Sequence, residues 1–295
     1  MWRSLGLPGL LDLHVHFMPR NVMDKVWAYF DAAGPLVGTD WPIEYREEED
    51  VRIERLREMG VLAFPSLLYP HKPGMAAWLN AWAGDFAARH DDVLHTATFF
   101  PEPEAGAYVE QALAAGARVF KAHVQVGAYD PRDPLLDPVW SHLERAGVPV
   151  IVHCGNGPMP GAFTGVRPFE EVLVRHPSLV AVIAHMGMPD YADFLALAAR
   201  FPRVHLDTTM AFTTWTERRT PFPDELTGSL LALGERIVLG SDFPNTPYAY
   251  AEQIAGLVRL GLGDDWLRGV LHDNAAGLLG LPRFAPRSDA ADGQK

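Results

Sequence analysis

Cysteine is nearly missing from this chain: Cys154 stands alone among 295 residues. An intrachain disulfide is therefore impossible, and nothing in the sequence points to an oxidising compartment. Long hydrophobic runs are missing too. No apolar stretch approaches the roughly 20 residues that span a bilayer. The N-terminal MWRSLGLPGLLDLH, with one Arg and a brief apolar stretch, does not read as a signal peptide. Positive charge is scarce: 25 Lys and Arg against 37 Asp and Glu give a net charge of −12, with no basic cluster. That balance argues against nucleic acid or an anionic membrane as the main partner, but it does not decide the charge of a small substrate. These absences leave a soluble, cytoplasmic protein with a small-molecule partner, and a homodimer is compatible with them.

What the chain does have is alternation. Short β-rich runs fall near residues 9–15, 60–68, 94–100, 117–123, 148–153, 179–184, 203–207 and 236–241, with amphipathic helical patterns between them. Strand followed by helix, eight times over, predicts a single α/β domain, a (β/α)8 TIM barrel spanning residues 1–283. A doubly wound open sheet is the alternative, but such sheets usually have fewer strands, and no Gly-rich phosphate turn follows any strand here. The first connection is the exception to the alternation. More than forty residues separate the first two strands, including the apolar GPLVGTDWPIEY and the acidic EEED of residues 47–50. An insertion at this end of a barrel is expected to form a lid. Residues 284–295, polar and rich in small side chains, are expected to be disordered.

Five polar side chains close the apolar runs: His14 and His16 end GLLDLHVH, His153 ends VPVIVH, His185 ends LVAVIAH, and Asp242 ends RIVLGSD. Side chains alternate along a strand, so His14 and His16 share a face and can grip one ion. Imidazoles with one carboxylate suit a divalent metal such as zinc. In a closed barrel the first and eighth strands are neighbours, which sets Asp242 beside the His pair, while His153 and His185 approach from the opposite wall. The other histidines (His71, His90, His95, His142, His176, His205 and His272) fall in loops, helices or strand starts with no partner at ligand spacing. Cys154, one position past His153, points away from it and reads as a structural thiol. Asp12 and Asp207 read equally well as carboxylates that orient an imidazole and as satisfied interior acids.

These residues carry a resemblance. DLHVH (12–16), VFKAH (119–123), the run 133–155 ending in VIVHCG, VAVIAHMG (180–187), VHLDTT (204–209), IVLGSDFP (237–244) and HDNAAGLLGL (272–281) together resemble the amidohydrolase superfamily. The wording is similar to its amidohydrolase-related branch, which includes aminocarboxymuconate-semialdehyde decarboxylase and many metal-dependent hydrolases. The resemblance implies one metal held by His14, His16, His153 and Asp242, with His185 beside it as a catalytic residue or a further ligand. It also leaves two roles for Lys121: a carboxylated bridge between two metals, or a cation that holds a substrate carboxylate or carbonyl, which is the reading preferred here. His123 shares the face of Lys121 and is expected to contact substrate.

Such a site implies hydrolysis of an amide, lactone or ester by a metal-activated water, with Asp242 taking the proton and His185 bonding the developing oxyanion. Zinc is the expected ion, with manganese, iron and cobalt as alternatives. Non-oxidative decarboxylation of a small unsaturated or aromatic acid is the second reading of the same residues. A barrel that binds without catalysis is the third. Phe17, Tyr69, Phe163, Phe212, Trp215 and Phe243 follow strand ends and suggest either an apolar cup or rim packing.

Overall fold

The computed structural model describes residues 2–281. The segment 284–295, expected to be disordered, lies outside the described residues. Nine short strands are β1 (Leu10–Leu11), β2 (Val61–Pro65), β3 (Val93–Leu94), β4 (Thr96–Thr98), β5 (Val119–His123), β6 (Val150–His153), β7 (Ala181–Ile183), β8 (Val204–Asp207) and β9 (Ile237–Val238). All pairings are parallel, in the orders β1-β2-β3 and β4 through β9. Residues of β5, β6 and β7 are buried throughout, so they read as continuous apolar runs rather than as alternation.

β3 and β4 are one barrel strand that changes partner. Leu94 pairs with β2 and Thr96 with β5, and between them the His95 carbonyl accepts from Arg118 N at 2.8 Å. The ring closes between the first and last strands. Leu13 N donates to Leu239 O at 2.9 Å, Asp242 N to His14 O at 2.8 Å, and His16 N to Phe243 O at 2.7 Å. The structure is thus the (β/α)8 barrel the sequence predicts, with strand-end side chains gathered at one mouth. At the other end, Val119, Ile151, Val182 and Val238 cluster with Ala275, Ala276 and Leu279 of the helix Asn274–Leu279, which plugs the barrel.

The expected helices form with shifts at their ends. The first runs Arg20–Ala32 directly behind Pro19. The insertion continues through a short turn at Gly34–Val37 to the helix Glu49–Glu58. It lies across the loop that follows β9: Glu44 N donates to Thr246 O at 2.9 Å, and Tyr250 N to the Tyr45 hydroxyl at 2.7 Å. Among the described residues no helix is long and apolar enough to cross a membrane.

Candidate metal centre

Three donors meet at the seam of the barrel. One ligand atom each from His14, His16 and Asp242 lies within 4.8 Å of the others, all buried. Their protonation follows from their second bonds. His16 Nδ1 lies 2.8 Å from the Leu67 carbonyl, which can only accept, so Nδ1 carries the proton and Nε2 the lone pair. That lone pair nevertheless faces Asp242 Oδ1 at 2.9 Å. Two acceptors at this distance need a positive charge, either a proton or a cation, between or beside them. His14 repeats the pattern. Its Nδ1 donates to Asp207 Oδ2 at 2.8 Å, which leaves Nε2 as an acceptor 3.6 Å from Asp242 Oδ1. Two imidazole lone pairs and a carboxylate, out of water, fit a divalent cation.

One cation is already built in. Lys121 is fully buried, and its Nζ lies 3.2 Å from His14 Nε2. Burial lowers its pKa to about 8, against the raising influence of Asp207 and Asp242. Lys121, expected to hold substrate, is in direct contact with a metal-ligand candidate.

The two acids left undecided by sequence divide the support of His14 between them. Asp207 binds the imidazole itself, and its Oδ1 accepts from His185 N at 2.8 Å and Thr209 N at 3.1 Å. Burial alone would raise its pKa, but the charge and bond of His14 win and hold it well below the usual carboxylate range. Asp12 holds the backbone of His14 rather than its ring: it accepts from His14 N at 3.0 Å and from the Tyr250 hydroxyl at 3.0 Å. Burial pushes it up to about 7, against the hydrogen bonds it accepts. For Asp242, burial opposes ionisation, yet the bond and charge of His16 with those of His185 and His14 keep it strongly ionised.

The remaining candidates complete a closed circle of rings around the mouth. Centroids step from His16 to His14 (5.1 Å), His185 (5.0 Å), His153 (4.8 Å), His123 (4.1 Å), Tyr69 (4.6 Å) and back to His16 (5.7 Å). His153 is expected among the ligands, but the structure sets it outside the three-donor cluster. It stacks on His123 and its Nε2 donates to the Gly157 carbonyl at 2.9 Å, leaving Nδ1 with the lone pair. His123 caps the turn that follows β5, its Nδ1 accepting from Val126 N at 3.3 Å. His185 Nδ1 is buried with no hydrogen-bond partner. Burial brings the pKa of His14 and of His185 down to about 4, against the raising influence of Asp207 and Asp242, and burial followed by neighbouring positive charge puts those of His123 and His153 well below 6.5.

Local backbone is strained where these groups stand. His185, Met186 and Asp242 take φ of 55°, 53° and 72°, a region costing non-glycine residues about 1 kcal/mol or more each. Gly240 is required by contact: a Cβ there would lie 2.1 Å from Thr209 Oγ1 and 2.8 Å from His14 Cβ. Of the aromatic residues expected at the rim, Phe17, Phe212 and Phe243 are core, whereas Tyr69, Phe163 and Trp215 stay half-buried. Tyr69 completes the ring circle, a role no local pattern signals.

A parallel barrel with a buried His–His–Asp cluster at its mouth defines a class of enzyme scaffold, and sequence comparison gives the family. The amidohydrolase family model matches residues 11–281, and the chain belongs to that family. No curated protein matches the sequence significantly. Among solved structures, the fold is similar to an uncharacterised TIM-barrel protein from Bordetella bronchiseptica (20% identity, 92% of this chain and 98% of that one, TM-score 0.72). It is also similar to 5-carboxyvanillate decarboxylase from Novosphingobium aromaticivorans, complexed with manganese and a nitrobenzoic acid (14% identity, 94% and 97%, TM-score 0.64). A third likeness is to a Pseudomonas putida protein provisionally described as a 2-pyrone-4,6-dicarboxylic acid hydrolase (17% identity, 93% and 98%, TM-score 0.58).

Proposed function

We propose that the chain is a metal-dependent hydrolase acting on an amide, lactone or ester in a small, carboxylated substrate. The observation that carries the reading is the buried His14–His16–Asp242 cluster, with one ligand atom from each within 4.8 Å of the others. His14, His16 and Asp242 would hold it, with His153 joining through the lone pair on Nδ1 and zinc as the first choice of ion. Bound there, a divalent cation supplies Lewis acidity, polarising a carbonyl and lowering the pKa of a water towards about 7.

The protein's own groups supply the rest. Asp242, held ionised, accepts a proton as hydrolysis proceeds and passes it to the leaving group. His185 offers its unpartnered Nδ1 to the substrate oxygen that gains charge. Asp207 fixes the tautomer of His14 so that Nε2 keeps its lone pair. Lys121 and His123 bind the substrate carboxylate on the wall facing the acids, the ammonium giving a charge-assisted bond. A soluble enzyme with its one cysteine buried suits a reducing compartment, and the reading includes a cytoplasmic location.

Non-oxidative decarboxylation is the second reading, supported by the likeness of fold to 5-carboxyvanillate decarboxylase. Hydrolysis is preferred because the imidazoles of the cup are pushed towards the neutral form, which leaves few of them charged to protonate carbon. The test is a substrate panel of lactones, amides and esters beside aromatic and muconate-like acids. Ring opening or amide cleavage without carbon dioxide supports the proposal, and carbon dioxide release from the acids alone overturns it.

A further inference from the structure

We propose that the insertion after β1 is a fixed clamp that positions Asp242 through Asn245. This rests on the role given above to Asp242. Asp242 stands in a strained left-handed conformation, in a turn closed by Asn245 N donating to Asp242 O at 2.8 Å. Something must hold that turn, because an unsupported strained residue relaxes. Two tryptophans from the insertion do so, about two hundred positions away in sequence. Trp27 Nε1 donates to Asn245 Oδ1 at 3.1 Å, and Trp41 Nε1 donates to the Asn245 main-chain carbonyl at 2.7 Å. Both indoles and Asn245 are buried. A buried indole N–H can only donate, so each of these bonds is costly to lose.

Trp27 is itself held by two guanidinium groups. The guanidinium carbons of Arg46 and Arg52 lie 5.6 Å and 5.4 Å from its ring centre. Arg52 is buried, and its Nε and Nη1 have no hydrogen-bond acceptor. Besides the charges of Glu49 and Glu48, rings favour its charged form: next to Trp27, it sits 4.8 Å over Phe17, the residue after His16. One arginine therefore braces the chain beside His16 and the ring that holds the Asp242 turn. The insertion, expected from sequence to act as a lid, is on this account part of the wall that aims the ligands. Asn245, Trp27 and Trp41 are positioning residues.

The test uses the full-length, metal-free protein and amide-resolved hydrogen exchange. Trp27→Phe and Trp41→Phe keep one aromatic ring in place and remove the N–H donor together with the second ring. Each should speed exchange at the amides of Asp242 and Asn245 by about fivefold to tenfold, the worth of one neutral hydrogen bond. Leu143, in the distant helix Asp137–Ala146, should be unaffected. Asn245→Leu, which leaves the main-chain carbonyl to Trp41, should match Trp27→Phe, and Asn245→Asp, which keeps an acceptor oxygen, should restore slow exchange. Unchanged exchange at Asp242 and Asn245 in folded variants overturns the clamp, whether or not a metal binds. A parallel manganese titration separates the two ideas. Binding by the wild type that weakens in Trp27→Phe supports both, and faster exchange with no manganese bound by the wild type keeps the clamp and sinks the metal reading.

Discussion

The two walls of the cup differ in what they can attract. On the seam side, where the first and last strands meet, His14 and His16 converge on Asp242, with Asp12 and Asp207 behind them. On the opposite side, β5, β6 and the turn after β7 present Lys121, His123, His153 and His185, and His123 and His153 stack at 4.1 Å. Carboxylates stand on one wall, and imidazoles with an ammonium on the other. On the proposed function the two walls would have separate tasks: the acidic seam would hold a cation, and the wall carrying Lys121 would receive an anion. Lys121 reaches across to His14 and joins the two.

The sharpest way to break this contrast is at its acidic centre. Asp242→Asn keeps the size and one acceptor but cannot take a proton, so turnover should fall by about 10²–10⁴ while much of the metal stays bound. Steady-state kinetics with metal analysis checks this, and full activity in the variant would remove Asp242 from the chemistry. Asp207→Asn should act one step further out, by freeing the His14 ring, and lower metal affinity by about 10–100-fold. A competition titration against a chelator reads it. On the basic wall, Lys121→Met should raise KM for a carboxylated substrate by about 10–100-fold with a smaller effect on kcat, as loss of a charge-assisted bond would. An uncharged analogue of the same substrate should not feel the change.

The smallest expected effect concerns pH. In the metal-free protein burial lowers His14, His185 and His205 to about 4, and His123 and His153 well below 6.5. Between about pH 4 and about pH 6.5 the unfolded chain therefore binds more protons than the folded one, and stability should rise with pH across that window. Asp12, raised to about 7, and Glu217, raised by burial, work in the opposite direction, but they are two groups against five imidazoles. Urea midpoints across the window measure the slope. His205→Gln, remote from the donor cluster, should make it shallower without touching metal binding.

Much of this was legible in the sequence because barrel strands are buried on both faces and end in function. VPVIVH and RIVLGSD mark both a strand and the residue at its mouth, so the fold and the His14–His16–Asp242 convergence follow from the same runs. Other features leave no such mark. The change of partner at His95 and the register slip between Leu10 and Leu11 are matters of which neighbour a backbone bonds, not of residue type. The helical segment from Asp264 to Leu279 starts behind Gly263 and passes through a π turn at Gly269–Asp273, which disturbs the 3.6-residue period that reveals a helix. Tyr69 and the indoles of Trp27 and Trp41 act across the fold through single contacts, and one contact has no periodicity to read.

Metal content decides whether the seam is a cation site. Protein dialysed after exposure to zinc or manganese should retain about one divalent ion per chain by elemental mass spectrometry, and the His16→Ala and Asp242→Ala variants should retain far less. A folded wild-type protein that keeps no ion under those conditions would contradict the account.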